Sequence, residues 1–208
     1  MTKPPKKLVW IIGIDEVGRG PLAGPVYVCA CAMRGTDYKK MSASWRAEGL
    51  NDSKKMTVKA REKWYKKAHE LKQQGKVRFA IGKCTAKDID TKGTAVAIKQ
   101  CITEALAILA LDPKKTRVEL DGGLKAPIIY KNQGTYVKGD QKRKIISLAS
   151  VIAKVSRDAY MVRLHKKYLQ YGWGQNKGYG TATHRKAIKH YGTTIFHRKT
   201  FLTKIIDK

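Results

Sequence analysis

An α/β fold with a mixed sheet is predicted from three observations. Short runs rich in β-branched and aromatic residues alternate with longer segments of helical apolar periodicity. Their order, ββ–α–β–α–β–β–α–α, opens on a hairpin and then interleaves strands with helices. The 208 residues are 42% hydrophobic, enough to bury a sizeable core.

Leu8 to Asp15 is apolar and predicts a buried strand. A loop with Gly18, Gly20, Pro21, Gly24 and Pro25 follows, and Val26 to Met33 predicts a second strand, as in a hairpin. Residues 34–56 are polar and expected to be irregular. Thr57 is a candidate N-cap for a helix to about Gln74, stopped by Gly75. Val77 to Cys84 predicts a third strand. Thr94 to Leu111 has helical periodicity, with Pro113 just beyond. Arg117 to Asp121 is a short strand entering Gly122 and Gly123, and Gly134 to Gly139 is expected to be another strand or its end. Ile145 to about Gln170 is helical, with small residues in ISLASVIAKV suited to close packing. A last helix covers Thr183 to His190, with Gly192 after it. One domain over residues 1–208 is expected, its residues from about 160 to 208 forming a basic helical part.

Lys and Arg number 44 against 16 Asp and Glu, a net charge of +28. Such a field favours a polyanion, nucleic acid above all, and argues against a small acidic metabolite as sole ligand. After Asp158 the only acid is Asp207, against 11 Lys and Arg. Tyr168, Tyr171, Trp173, Tyr179 and Tyr191 interleave that basic stretch, where aromatic rings can stack on bases or sugars or serve as core. Cys29, Cys31, Cys84 and Cys101 lie in apolar runs without a CxxC and are expected to be reduced core thiols. The apolar run after MTKPPKK is too short for a signal segment, and no stretch is long enough to span a membrane, so a cytoplasmic protein is expected.

In so basic a chain each carboxylate is informative. Asp15 and Glu16 end an apolar strand, where adjacent acids repel and resist desolvation. Arg19 supplies one cationic partner but hardly two. A divalent cation answers the problem more economically, and hard oxygen ligands suit Mg²⁺ or Mn²⁺. Neighbouring strand residues point to opposite faces, so the pair needs a bend or bulge to act together. Asp121 in VELDGG and Asp140 in VKGD stand at further expected strand ends. Singly each Asp reads as a turn residue. Together the four favour a metal site, where two ions about 4 Å apart activate a water and stabilise the leaving oxygen of a phosphodiester.

The run GIDEVGRGPLAGPV, Gly13 to Val26, closely resembles the first signature of the type 2 ribonuclease H (ribonuclease HII) family. NDSKKMT at Asn51, LDGG at Leu120, KGD at Lys138, SLASVIAKVSRD at Ser147, NKGYGTATH at Asn176 and HRKTF ending at Phe201 follow in the family's order. The resemblance implies a ribonuclease H-like mixed β-sheet flanked by helices, with a helical C-terminal extension closing over the substrate. It implies a metal-dependent endoribonuclease that cuts the RNA strand of RNA/DNA hybrids and nicks duplex DNA 5′ of an embedded ribonucleotide, leaving 3′-hydroxyl and 5′-phosphate. Asp15, Glu16, Asp121 and Asp140 match the family's metal set, for two Mg²⁺ or Mn²⁺ ions. Gly18, Arg19 and Gly20 match its GRG loop, whose backbone reads the 2′-hydroxyl with Arg19 near phosphate. Tyr179 matches the tyrosine that stacks on the following deoxyribose. Ser53, Lys54 and Lys55 match DSKK and are expected to hold phosphates. His184 is expected in helix capping or phosphate contact, and Lys177 and Arg198 in phosphate contacts. Asp158 reads instead as an i,i+4 partner of Lys154. Gly123 stands where the family usually has Asn, a change that removes no ligand.

A non-catalytic nucleic-acid-binding protein fits the charge equally well but leaves the four acids unexplained. Ribonuclease HIII is a further alternative. Its substantial N-terminal domain is not expected here, since the first catalytic strand begins by Leu8. No obligate protein partner is indicated, and a monomer is expected.

Overall fold

The computed structural model describes residues 9–203. Leu8, the basic leader before it and residues 204–208, including Asp207, lie outside the described residues. The sheet has five strands: β1 (Trp10–Val17), β2 (Val26–Arg34), β3 (Val77–Cys84), β4 (Thr116–Asp121) and β5 (Gln133–Tyr136), in the order β3-β2-β1-β4-β5. β1, β2 and β3 pair antiparallel, whereas β1–β4 and β4–β5 pair parallel. This is the mixed α/β sheet that the sequence predicts.

Eight helices are assigned among the described residues: α1 (Gly35–Trp45), α2 (Val58–Gln73), α3 (Ala86–Lys92), α4 (Thr94–Leu109), α5 (Gly139–Lys142), α6 (Lys144–His165), α7 (Trp173–Asn176) and α8 (Ala182–Tyr191). The period-2 alternation of β2 divides its side chains between two cores. Val28, Ala30 and Ala32 join Ile12 and Ile14 against the Ile98, Cys101, Ile102 and Ala105 stripe of α4. Cys29, Cys31 and Met33 meet Ile145, Leu148, Ala149 and Ile152 of α6, with Trp45 and Trp64 closing that layer. All four cysteines are free and buried, as expected of core thiols.

Two glycines set how closely the helices approach. A Cβ on Gly13 of β1 would lie 2.4 Å from the Ile145 carbonyl carbon, and one on Gly82 of β3 would lie 2.0 Å from the Cys101 oxygen. Backbone thus packs on backbone at both faces, and α6 runs directly beneath the end of β1. A third cluster joins Leu22 and Ala23 of the glycine-rich loop to Met161, Tyr171, Trp173, Ile188 and Leu202 of the C-terminal part.

Local signals account for several boundaries. The Thr57 hydroxyl accepts the Ala60 N–H at 3.2 Å at the start of α2, and Gly75 follows that helix with φ 69°. Other boundaries differ from expectation. Residues 34–56 are not irregular throughout, because 35–45 form α1. No side chain caps this helix. Tertiary packing holds it instead, through Trp45 edge-on to Trp64 of α2 at 5.7 Å, with Tyr38 of the same helix edge-on to Trp45 at 6.5 Å. The long helix ends at His165 rather than near Gln170. α3 does have a local signal, a capping box between Thr85 and Asp88, which the sequence reading passed over. Asp140 does not close a strand; it lies in the first turn of α5.

Candidate active site

The parallel register places two of the acids side by side. Ile14 of β1 pairs with Leu120 of β4, so Asp15 and Asp121 are next in line, on the side away from the α4 core. The pairing of β1 with β2 continues unbroken through Glu16–Val28 and Val17–Tyr27. No bulge therefore intervenes between Asp15 and Glu16, contrary to the bend expected from their adjacency. Both acids lie near enough to Asp121 for its charge to raise their pKa values.

The Asp121 carboxylate accepts the Gly139 N–H at 2.6 Å, tying the end of β4 to the start of α5. Asp140, one residue on, is thereby brought to the cluster. Asp15 is buried; its carboxylate accepts the Glu16 N–H at 2.8 Å and has the Ser150 hydroxyl of α6 within hydrogen-bonding range. Glu16 turns toward Arg19, 3.3 Å away. Burial, then the charges of Glu16 and Asp121, push the Asp15 carboxyl well above the carboxylate range. Burial also raises Glu16, against the pull of Arg19. Asp140 is pushed up to about 6 by burial, then by Asp52 and Asp121.

Asp52 is an acid of this neighbourhood that the sequence reading omitted. One of its oxygens accepts the Lys54 N–H at 2.8 Å and the other the Gln141 amide at 3.2 Å, and it lies beside Asp140. Burial works against its charge, but the Lys54 N–H, Asp140 and Gln141 together hold its pKa low. Within NDSKKMT it reads as a local turn residue, and only the fold brings it to Gln141 and Asp140 of α5.

The donor chemistry fits Mg²⁺ or Mn²⁺: hard carboxylate oxygens gathered where their own charges raise one another's pKa. Among the described residues no three ligating side chains converge on one point as they stand. Glu16 is engaged by Arg19 at 3.3 Å, and Asp140 lies beside Asp52.

Two loops flank the acids. The glycine-rich loop leaves β1 at Gly18, where φ is 91° and a Cβ would strike the Arg157 side chain at 2.2 Å. Arg19 and Gly20 are exposed, and a Cβ on Gly20 would meet nothing within 4 Å. The second loop, residues 176–180, is stitched to the first by the Gly178 carbonyl, which accepts the Leu22 and Ala23 N–H groups. Tyr179 is exposed on it, with the Arg157 guanidinium 6.0 Å from its ring centre. Lys54 and Lys55 are exposed, and the Lys54 charge lies close enough to lower both Glu16 and Asp140. Lys177 is half-buried; its amine turns to the Gly174 carbonyl while its own carbonyl accepts Arg157.

Ser53 and Arg198, expected in phosphate contacts, and His184, expected in helix capping or phosphate contact, all have buried side chains. The Ser53 hydroxyl is buried 2.8 Å from that of Ser150, so it couples the DSKK turn to the serine beside Asp15. His184 is fully buried; its ring accepts the Trp173 indole N–H at 3.0 Å and donates to the Tyr179 carbonyl at 2.9 Å. Its Nε2 also lies 3.2 Å from that of His197. Burial lowers the pKa of both imidazoles, His197 to about 4. Arg198 is fully buried as well, and its guanidinium is spent on backbone carbonyls. The three side chains hydrogen-bond within the protein, and the His184 N–H also donates to the Thr181 hydroxyl that caps α8, at 3.2 Å. Asp158 pairs with Lys154 at 3.0 Å, as expected.

This fold, with carboxylates at the C-terminal ends of adjoining parallel strands and a basic exterior, defines a ribonuclease H-like hydrolase. Solved structures share it. The ribonuclease H2 of Pyrococcus horikoshii OT3 superposes with a TM-score of 0.72 at 25% identity, covering 95% of this chain and 97% of its own. The ribonuclease HII of Archaeoglobus fulgidus, solved in complex with PCNA, gives 0.71 at 24% identity over 92% and 94%. A Bst-RNase HIII in complex with Mn²⁺ gives 0.69 at 20% identity, over 96% of this chain and 70% of that one.

In sequence, the ribonuclease HII of Pelagibacter ubique is 41% identical over 198 residues, 92% of this chain and 95% of the relative. That of Synechococcus sp. WH7803 is 38% identical over 95% and 96%. The family model for ribonuclease HII matches residues 12–204, and the chain belongs to the ribonuclease HII family. It is accordingly a type 2 ribonuclease H, a hydrolase acting on RNA/DNA hybrids.

Proposed function

We propose that the chain is an endonuclease that cuts the RNA strand of RNA/DNA hybrids and also nicks duplex DNA 5′ of a single embedded ribonucleotide. Water adds to phosphorus and the P–O3′ bond breaks, leaving a 3′-hydroxyl and a 5′-phosphate. The observation that carries this reading is the gathering of Asp15, Glu16, Asp121 and Asp140 beside an exposed glycine-rich loop in a chain of net charge +28. Two Mg²⁺ or Mn²⁺ ions held by these four carboxylates would supply Lewis acidity and lower the pKa of water. Ser150 and the Glu16 N–H orient Asp15. Lys54, Lys55 and Arg19 hold phosphates as exposed cations. The backbone at Gly18, Arg19 and Gly20 reads the ribose 2′-hydroxyl, and the Tyr179 ring presses on the deoxyribose that follows.

Residues from about 160 to 208 form the substrate-binding part of one catalytic unit. No helix among the described residues is long and apolar enough to cross a membrane. We place the protein in the cytoplasm as a monomer without an obligate protein partner. The test uses a DNA duplex with one ribonucleotide, an RNA/DNA hybrid and an all-DNA duplex, each with Mg²⁺ or Mn²⁺. Asp15→Asn is expected to bind the hybrid but to lose at least about 10²-fold in cleavage, the scale of removing a group that acts in the transition state. Substantial residual turnover would remove Asp15 from that role. Tight binding without cleavage by the wild-type protein would favour a nucleic-acid-binding protein instead.

A further inference from the structure

Two arginines lie inside the protein without a carboxylate partner among the described residues. Arg157 and Arg198 each have 0% exposure, and each spends its guanidinium on backbone carbonyls. Arg157 donates to Pro25 at 2.9 Å, Lys177 at 3.0 Å and Ala23 at 3.2 Å. Arg198 donates through Nη2 to Gly18 at 2.5 Å and Gly24 at 2.8 Å, through Nη1 to Arg19 at 2.8 Å, and through Nε to Gly24 at 3.0 Å. The glycine-rich loop therefore turns its carbonyls inward onto two buried positive charges.

Peptide planarity converts this into a statement about donors. In a trans peptide the C=O of one residue and the N–H of the next point in opposite directions. The Gly18 carbonyl bound by Arg198 commits the Arg19 N–H to the opposite side. The Arg19 carbonyl, bound by the same guanidinium, commits the Gly20 N–H likewise. Both residues are exposed, and among the described residues neither N–H has an acceptor. Two consecutive free donors thus face solvent beside the carboxylates. Gly20 has open space where a Cβ would stand, so an oxygen ligand can approach closely.

We propose that Arg198 is the positioning residue for ribose recognition: by fixing the carbonyls of Gly18 and Arg19 it aims the Arg19 and Gly20 N–H groups outward as a pair that donates to the 2′-oxygen of the substrate. This rests on the function proposed above. The guanidinium fork reaches the Gly18, Arg19 and Gly24 carbonyls at once. Lysine, a point donor on a flexible stem, keeps the charge and loses that geometry.

The experiment measures equilibrium binding in Ca²⁺ for a duplex with one ribonucleotide and for its all-DNA counterpart, with wild-type protein and Arg198→Lys. The wild-type protein should prefer the ribonucleotide by about tenfold or more, the scale of two neutral hydrogen bonds. Arg198→Lys should bring that ratio close to one, with all-DNA affinity changed less than about twofold. Equal weakening of both duplexes, or an unchanged ratio, overturns the role of Arg198. A wild-type protein with no preference overturns the functional reading itself. Should Arg198→Lys not fold, the amide resonances of wild-type Arg19 and Gly20 decide. They should shift on adding the ribonucleotide duplex and not the all-DNA one, and identical shifts with both overturn the proposal.

Discussion

Asp140→Asn should stabilise the metal-free protein. Asp140 is buried against Asp52 and Asp121 and is pushed up to about 6, whereas an unfolded chain holds an aspartate near about 3.9. The difference is about two units, with a ceiling of about 3 kcal/mol at 1.36 kcal/mol per unit. Asp52 shares that interaction and keeps part of the repulsion with its other neighbours, so the substitution is expected to recover about 1–2 kcal/mol. The sign follows from proton binding. Between pH about 4 and 6 the folded state holds the Asp140 proton and the unfolded state does not, so wild-type stability falls as pH rises through that window and stays lower above it. The variant has no such proton to lose. Its advantage is therefore present at pH 7.5 and vanishes toward pH 4. For a chain of this length 1–2 kcal/mol corresponds to about 2–8 °C in melting temperature. Thermal melts in EDTA at pH 4, 6 and 7.5 provide the assay. Added Mg²⁺ or Mn²⁺ should narrow the gap at pH 7.5 by raising the wild-type melting temperature more. A variant that melts below wild type at pH 7.5 in EDTA, or one whose advantage is the same at pH 4, would refute the reasoning.

Gly13→Ala should destabilise the fold by about 3 kcal/mol or more, because its Cβ would stand 2.4 Å from the backbone of Ile145 and force α6 off the sheet. Chemical denaturation measures this, and a loss below about 1 kcal/mol would contradict the close packing. Ser150→Ala removes the hydroxyl that lowers the Asp15 pKa and partners Ser53. The acidic limb of the cleavage pH profile should move to higher pH, and stability should fall by about 1 kcal/mol; an unmoved limb would show that Ser150 does not act on Asp15.

Much of the fold was legible because its signals are local. The apolar alternation of β1, β2 and β3, the Thr57 cap, and the 98–101–102–105 stripe of α4 all lie within single segments. α1 was not legible, since what orders it is the packing of its Trp45 on Trp64 of α2, in a different segment. The scarcity of carboxylates in a +28 chain pointed to Asp15, Glu16, Asp121 and Asp140. Ordinary pattern reading placed Asp140 at a strand end; it lies instead in the first turn of α5, which the Gly139–Asp121 hydrogen bond ties to the end of β4.

By itself the sequence determined the class of the protein: which residues could be core, which acids were too costly to leave without a cationic partner, and which motifs stand in the ribonuclease HII order. Those properties depend on residue type and spacing, which are carried in one dimension. Tertiary structure alone decided which cations face outward. Arg198 and Arg19 look alike in the sequence, yet one is fully buried and the other exposed. Their difference comes from the docking of the C-terminal segment onto the glycine-rich loop across nearly the length of the chain, where buried carbonyls demand donors and the nearest guanidinium must meet them.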